Sequence, residues 1–96
     1  MLTPATFEPL VGSEFSIEDE RGEGVVLALT EVARHLPRSH GDRTEPFSLY
    51  FLGPPGEPLP QAIYAMGEAT LGRVDIFIVA IGPDGDGRQR YEAVFN

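Results

Sequence analysis

The segment "RHLPRSHGDR", residues 34–43, contains the side chains best suited to bind an anion. Arg34, Arg38 and Arg43 lie there, in a chain whose seven basic residues are all arginine. A guanidinium group recognises carboxylate and phosphate through paired hydrogen bonds. We predict that these three arginines bind a protein partner or another anion. The alternative is a solvated loop between two strands, whose positive charge balances acidic surroundings.

Two histidines in the same segment, His35 and His40, are candidate metal ligands. Only Asp42 and Glu45 lie near them in sequence, and a strong zinc site needs three or four converging ligands. The chain has no cysteine, so it has neither a thiolate site nor a disulfide framework. We predict no metal and no cofactor.

A second stretch with ligand chemistry is "PDGDG", residues 83–87. Asp84 and Asp86 have the spacing found in calcium-binding loops. A complete loop of that type requires a bidentate Glu at its twelfth position, which here is Phe95. Asp and Gly are also the residues that a tight connection between strands requires. We therefore predict a hairpin turn.

Motifs for catalysis are missing, since the chain has no G-x-S-x-G, H-E-x-x-H or P-loop pattern and no thiol. Ser39 is next to His40, but sequence neighbours rarely point at each other. We expect a non-enzymatic protein without catalytic residues. The rival hypothesis is an enzyme acting through Glu92, Tyr91 or His35, which would need a polar pocket holding a carboxylate of raised pKa.

Length and charge narrow the class of protein. Ninety-six residues without a Ser- or Gly-rich linker predict one domain over 1–96. The net charge of −8 repels nucleic acid and anionic membranes, so we expect neither as a partner. The longest apolar run, Ile76–Ile81, is too short to cross a bilayer, and "MLTPATFEPLVG" does not resemble a signal peptide. We expect a cytoplasmic protein.

Alternating apolar and polar residues predict six strands. The clearest is "PFSLYFLG", in which Phe47, Leu49 and Phe51 share one face. The others are "EFSIE", "VVLALTEVARHL" with a bulge at Thr30 or Glu31, "AIYAMGE", "RVDIFIVAIG" and the final "YEAVFN". We predict a mainly β fold, a small antiparallel β-barrel or sandwich of about six strands.

The segments between these strands complete the expected architecture. "LTPATFEPLVG" predicts a short helix that caps one end of the sheet, with Phe7, Leu10 and Val11 on its apolar face. "PPGEPLPQ" has four prolines in eight residues, so we expect a loop that does not pair inside a sheet. It either presents a rigid edge to a partner or keeps a strand from recruiting other chains.

The last two strands carry further expectations. "RVDIFIVAIG" is apolar on both faces from Ile76 onward, which predicts a central strand or one covered by another layer. "RYEAVFN" puts Tyr91, Ala93 and Phe95 on one face, and a terminal segment stays ordered only if it is paired. We expect it to form a hairpin with "DIFIVAI" and to close the sheet.

Four stretches, "FEPLVGSEF", "PFSLYFLGP", "PLPQAIY" and "YEAVFN", resemble a family of bacterial proteins of similar length described as a domain of unknown function. The resemblance runs nearly end to end and in the same order. It implies an association with phage-tail components, and therefore a tail-associated accessory or adaptor. It also directs attention to "PLPQ" and "YEAVFN", and thus to Gln61, Tyr91, Glu92 and Asn96.

These observations predict a non-enzymatic assembly or adaptor protein, an accessory of a phage-tail-derived structure, that binds a protein partner through an edge strand or loop. Self-association into a homo-oligomer is compatible with this function. The candidate partner-binding residues are Arg34, Arg38, Arg43, Gln61, Glu92 and Asn96.

The alternative function is a small-ligand carrier. A closed barrel of six short strands is usually filled by its own side chains, which argues against room for a ligand. The aromatic residues expected to line the mouth of such a carrier are Phe15, Phe47, Phe51, Tyr64 and Phe77.

Overall fold

The structure is a computed structural model that describes residues 2–18, 22–36 and 45–96. Arg38, His40 and Arg43 lie outside the described residues, so Arg34 alone represents the predicted arginine patch. The elements are helix α1 (Pro4–Phe7), a 3-10 helix (Glu8–Leu10) and the strands β1 (Glu14–Glu18), β2 (Gly24–Arg34), β3 (Phe47–Pro55), β4 (Ala62–Glu68), β5 (Gly72–Pro83) and β6 (Arg88–Phe95).

Six antiparallel strands close into a barrel in the order β1-β2-β3-β6-β5-β4. Two three-stranded meanders, β1-β2-β3 and β4-β5-β6, join along β3 and β6 and again along β1 and β4. Within the described residues, β3 pairs with β6 at seven positions, whereas β1 pairs with β4 only through Ser16 and Gly67. The mainly β prediction is confirmed, and the sheet is a barrel rather than a sandwich.

Each strand turns alternate side chains into the barrel. In β3, Phe47, Leu49 and Phe51 are buried and Tyr50 faces outward, as the alternation predicts. Phe15 meets Phe51 edge-on, with ring centroids 5.3 Å apart. One hydrophobic cluster fills the interior; its buried members are Phe7, Leu10, Phe15, Ile17, Leu27, Leu29, Phe47, Leu49, Phe51, Met66, Ile76, Ile78, Tyr91 and Ala93.

The change of parity in β2 is absorbed by a bulge, as predicted. Its pairing with β3 shifts between Leu29 and Glu31, so Thr30 is the extra residue. The Thr30 hydroxyl donates a hydrogen bond to the Tyr50 carbonyl at 3.0 Å. Leu29 therefore stays in the core while β2 continues beside β3 as far as Arg34.

Helix α1 caps one end of the barrel, which confirms the predicted position of the N-terminal segment. Thr3 and Thr6 form a reciprocal cap in which the Thr3 N–H donates to Thr6 Oγ1 at 3.1 Å. The Phe7 ring packs 6.0 Å from that of Phe47 and 5.9 Å from that of Phe95. The Phe7 ring therefore covers the end of the barrel where β3 begins and β6 ends.

Val11 does not lie on the apolar helix face, so that part of the prediction is wrong. Pro9 has no N–H for an α-helical hydrogen bond, and the chain continues as a 3-10 helix only to Leu10. Val11 is already extended and is 48% exposed. Gly12 follows with a φ of 95°, a conformation that glycine adopts without a steric penalty.

The proline-rich connection lies at the opposite end of the barrel. It leads from β3 to β4, crossing between the two meanders, and Leu59 packs against the core. The loop begins two residues later than predicted, because Pro54 and Pro55 form the end of β3, where Pro55 pairs with Arg88 after a register shift; none of these prolines pairs in the interior of the sheet. A proline fits there because it lies at the end of a strand, beyond a bulge.

The hairpin between β5 and β6 is confirmed by the pairing of Val79 with Glu92. However, β6 also pairs with β3, so it lies between two strands and the barrel closes at β1 and β4 instead. Of the two alternatives predicted for β5, the central strand is confirmed, since it lies between β4 and β6, and the covering layer is wrong, because Phe77 faces outward and is 46% exposed. The helix lies over an end of the barrel and not against this face.

Candidate functional site

Arg34 is held by two carboxylates of its own chain. Its Nε and Nη2 donate to the two Glu8 oxygens at 2.9 and 2.8 Å, and Nη1 donates to both Glu45 oxygens at 2.8 Å. The hydrogen bond from Arg34 lowers the pKa of Glu8, and hydrogen bonds to Glu8 and Glu45 raise the pKa of Arg34. The guanidinium joins the 3-10 helix to the end of β2. A partner's carboxylate would have to compete with these contacts.

A polar cluster lies on the outer face of β2, β3 and β6. The Tyr50 hydroxyl donates to Glu92 Oε2 at 2.8 Å, and this hydrogen bond is the main cause that raises the pKa of Tyr50. His35 Nε2 and the buried Ser48 Oγ are 2.8 Å apart. Glu92 therefore has an internal partner and is half-buried beside a tyrosine. An enzymatic role for Glu92 or His35 remains an untested hypothesis.

The proline-rich loop is fixed to the barrel by three side chains, and a fourth holds the end of β3 that precedes it. The buried Gln89 donates to the Gly56 carbonyl at 2.6 Å, and Arg88 donates to the Gly53 carbonyl at 3.2 Å. Two tyrosines hold the other half of the loop: the Leu59 N–H donates to the Tyr91 hydroxyl at 3.0 Å, and the Tyr64 hydroxyl donates to the Pro60 carbonyl at 2.6 Å. The prolines themselves are exposed, so the loop is a rigid, solvent-facing feature.

An apolar row crosses the outer face of β4, β5 and β6. Ile63 pairs with Phe77, and their side chains are 68% and 46% exposed. Val94 of β6 is 53% exposed and lies on the same face. Val79 of β5 pairs with Glu92 of β6, and Phe77 and Val94 are each two residues from that pair, toward the same end of the barrel. We call Ile63, Phe77 and Val94 the outer apolar row.

Polar side chains border the outer apolar row. Gln61 and Asn96, both exposed, lie two residues before Ile63 and two residues after Val94. Asp75 and Glu92 occupy the same outer face of β5 and β6. Three of the predicted site residues, Gln61, Glu92 and Asn96, therefore lie around one apolar surface. Arg73 and Arg90 lie on the same face, two residues from Asp75 and Glu92, so the charges around it are mixed. Arg34 lies apart from it, at the end of β2.

The backbone beside the outer apolar row is only partly paired. Along the described chain, β5 pairs with β4 over Gly72–Ile78 and with β6 only from Val79 onward. The ladder between β5 and β6 therefore ends at Val79, although β6 itself continues as a strand to Phe95.

The aromatic mouth expected for a ligand carrier is not assembled as predicted. Phe15, Phe47 and Phe51 are packed inside the core, where they contact each other or Phe7. Phe77 points outward and lines no interior space. The shallow groove beside Tyr50, about 390 Å³, is on the outside of the barrel.

The "PDGDG" segment forms the predicted hairpin turn between β5 and β6. Asp84 Oδ1 accepts hydrogen bonds from the N–H groups of Asp86 and Arg88, both at 2.9 Å. In residues 2–18, 22–36 and 45–96, no three His, Cys, Asp or Glu side chains are grouped so that they could hold a metal ion. His40 and Asp42, two of the candidate ligands, lie outside these ranges.

The outer apolar row was missed because Phe77 was assigned to the mouth of a ligand carrier, while Ile63 and Val94 were assigned to no site. A signal was present in "DIFIVAI", whose apolar residues occupy both faces of a strand. With Ile76 and Ile78 facing the core, the alternation requires Phe77 to face outward. Only the strand order could add Ile63 and Val94 as its neighbours.

The fold and this surface define a small, mainly β, closed-barrel domain with an exposed apolar face. A family model described as "Domain of unknown function (DUF6916)" matches residues 2–95, and the chain belongs to that family. It matches no curated protein and no solved structure. Over the residues that the structure describes, none of the helical segments has the length and hydrophobicity needed to cross a membrane.

Proposed function

We propose that this protein is a non-enzymatic adaptor that binds another protein through the outer face of β4, β5 and β6. The observation that supports this proposal is the outer apolar row, three large side chains exposed side by side. Single exposed apolar residues are ordinary, but a contiguous group with a polar border is typical of a protein interface. Gln61 and Asn96 would form hydrogen bonds at its border.

The proline-rich loop supports the same function. It leads directly into β4, and its three hydrogen-bonded anchors leave it little freedom to lose when a partner binds. Preorganisation of this kind reduces the entropic cost of association. The loop and the outer apolar row would together form a binding edge next to Gln61. The resemblance to a family of unknown function implies an association with phage-tail components, which favours a phage-tail-derived assembly as the setting.

The test is a capture experiment with crosslinking. A photo-crosslinking residue replaces Gln61, and in a second protein it replaces Glu18, which is exposed on β1. Both proteins are incubated with lysate of the native host, and crosslinked products are identified by mass spectrometry. We expect one protein to be crosslinked from position 61 and not from position 18.

Variants of the outer apolar row provide the second arm. Phe77→Ser and Ile63→Ser should reduce capture about tenfold or more, as truncation of a central interface residue does. Val26→Ser is the matched control, because Val26 is 44% exposed on β2. Equal capture by all three variants, or equal crosslinking from both positions, contradicts the proposal.

A further inference from the structure

We infer that the free protein forms a two-fold symmetric dimer in which the outer apolar row of each copy packs on the outer face of β4 and β5 of the other. A second copy matches this surface because the surface has both large projecting side chains and a depression that can receive them, and because its charges are of both signs. This inference goes beyond the proposed function, since the host protein would have to displace the second copy from the same face.

The depression lies beside the outer apolar row. On β4, two residues with little or no side chain, Ala65 and Gly67, follow Ile63 on the outer face. A groove of about 670 Å³ lies over them and is bordered by Ser16 of β1 and Arg73 of β5. Small side chains therefore lie two and four residues from the large ones, about 7 and 14 Å along the strand.

A two-fold axis that crosses the strands at Ala65 brings the projecting and the small side chains together. Rotation about an axis in the plane of the interface and perpendicular to the strands reverses positions along each strand, as an isologous interface requires. Ile63 then faces Gly67 of the second copy, and Phe77 faces Arg73 of the second copy. A Cβ at Gly67 would meet nothing within 4 Å, so there is room for the isoleucine. A guanidinium group stacks well on an aromatic ring.

The charges of this face favour a second copy, although the whole chain carries a net charge of −8. The outer face of β4, β5 and β6 has three basic and two acidic residues: Arg73, Arg88, Arg90, Asp75 and Glu92. Asp75 pairs with Ala65 and so lies at the axis, where it meets Asp75 of the second copy. Arg73 of the second copy lies over the neighbouring Phe77 and is long enough to reach this carboxylate. Each copy thus supplies both signs of charge to the interface.

The first experiment measures the mass of the full chain by sedimentation equilibrium over a range of concentrations. We expect an equilibrium between monomer and dimer. Gly67→Leu should weaken association about tenfold or more, because its side chain fills the depression that receives Ile63. Gly85→Leu is the matched control and should leave association unchanged. Both glycines have open space around the Cβ position and no positive φ, but Gly85 lies in the turn between β5 and β6.

Charge reversals test the orientation of the two copies. Arg73→Asp places only carboxylates around the axis, and Asp75→Arg places only guanidinium groups there. Each variant alone should be monomeric at concentrations at which the natural chain is a dimer. An equimolar mixture should form mixed dimers, since one face is then acidic and the other basic. Native mass spectrometry distinguishes these dimers by mass, and their formation shows that both variants are folded.

The outcomes separate this inference from the proposed function. A monomer at every concentration, an unchanged dimer of Gly67→Leu, or a mixture of the charge variants without mixed dimers overturns the inference. The adaptor still stands in each of these cases if a host protein crosslinks at position 61. If the dimer and its variants behave as expected but position 61 crosslinks only to a second copy, the adaptor fails and the dimer stands. If there is neither a dimer nor capture, both proposals fail.

Discussion

At the scale of single residues, one hydroxyl connects two segments that are far apart in sequence. Tyr91 belongs to "YEAVFN", and its OH accepts a hydrogen bond from Leu59 N–H in "PLPQ". The Tyr91 ring is buried in the core, so its position is fixed before the loop docks. Tyr91 therefore has two roles, filling the barrel and anchoring the loop that leads to the outer apolar row.

Tyr91→Phe tests the anchoring role. It keeps the ring but leaves the Leu59 N–H without its acceptor, which should lower the free energy of unfolding by about 1 to 3 kcal/mol. Urea denaturation gives this value, and limited proteolysis should cut the loop faster. Tyr50→Phe is the control, since its hydroxyl donates to a carboxylate on the outer surface. Equal stability losses in the two variants would contradict the anchor.

Gly53 is required by packing and not by its backbone conformation. A Cβ at this position would lie 2.7 Å from Leu27 Cδ2 and 3.1 Å from Tyr91 Cε2. Because Leu27 is fully buried and cannot withdraw into solvent, Gly53→Ala should destabilise by about 1 to 3 kcal/mol. Thermal unfolding measures this effect. Gly67→Ala is the control, since a Cβ there meets nothing within 4 Å, and a similar loss there would refute the packing explanation.

At the scale of elements, the N-terminal helices are fastened to the barrel by aromatic packing and by Arg34. Phe7 supplies the packing against Phe47 and Phe95, and Arg34 joins Glu8 of the 3-10 helix to Glu45 before β3. Both attachments act at the same end of the barrel. We call the exposed ion pairs of Arg34 with Glu8 and Glu45 the clamp. The clamp is sensitive to pH and salt, whereas the aromatic packing is insensitive to both.

The clamp predicts a specific acid response. The folded pKa of Glu8 is below its ordinary 4.5, so the ion pair contributes its full stability above pH 4.5 and loses it as the pH falls through the folded pKa. Arg34→Gln should therefore have a shallower loss of stability below pH 4.5 than the natural chain. Urea denaturation across this range measures it.

The control for that titration is Arg73→Gln. Arg73 is exposed and makes no ion pair among the described residues. Its variant should follow the acid profile of the natural chain. If Arg34→Gln and Arg73→Gln lose stability equally as the pH falls, the ion pair between Glu8 and Arg34 does not stabilise the folded protein.

The apolar pattern of β5 led to a wrong expectation about what covers its outer face. Its first half pairs with β4 and its second half continues beside β6, so the same strand belongs to two parts of the barrel. An apolar pattern on both faces usually indicates a strand covered on both sides. In this barrel the inner face is covered by the core, and the outer face carries Phe77 in solvent.

At the scale of the whole molecule, the barrel has one weak seam. The described parts of β1 and β4 pair through Ser16 and Gly67 alone, whereas β3 and β6 pair at seven positions. Local opening follows the regions with the fewest stabilising contacts. The barrel should therefore open first between β1 and β4.

Native-state hydrogen exchange tests this order of opening. Amides of β1 and β4 that face the seam should exchange with a smaller opening free energy than those of β3 and β6. The β3–β6 amides should exchange only with global unfolding, which denaturant dependence identifies. Uniform protection around the barrel would contradict a weak seam.

The alternation of side chains determined much of this protein without reference to tertiary structure. It predicted strands at "EFSIE" and "PFSLYFLG", the bulge near Thr30 and the turn at "PDGDG", and each is confirmed. These features depend on neighbours within a few residues, where periodicity and turn chemistry act directly. The mainly β class followed from them.

Only the tertiary structure decided what depends on residues far apart in the chain. Barrel closure at β1 and β4, the exposure of Phe77 and the proximity of Gln61, Glu92 and Asn96 to one apolar surface all follow from strand order. A periodic pattern specifies which residues share a face but not which strands are neighbours. For the same reason the sequence could propose Arg34 as a free cation, while the fold brought Glu8 and Glu45 to its guanidinium.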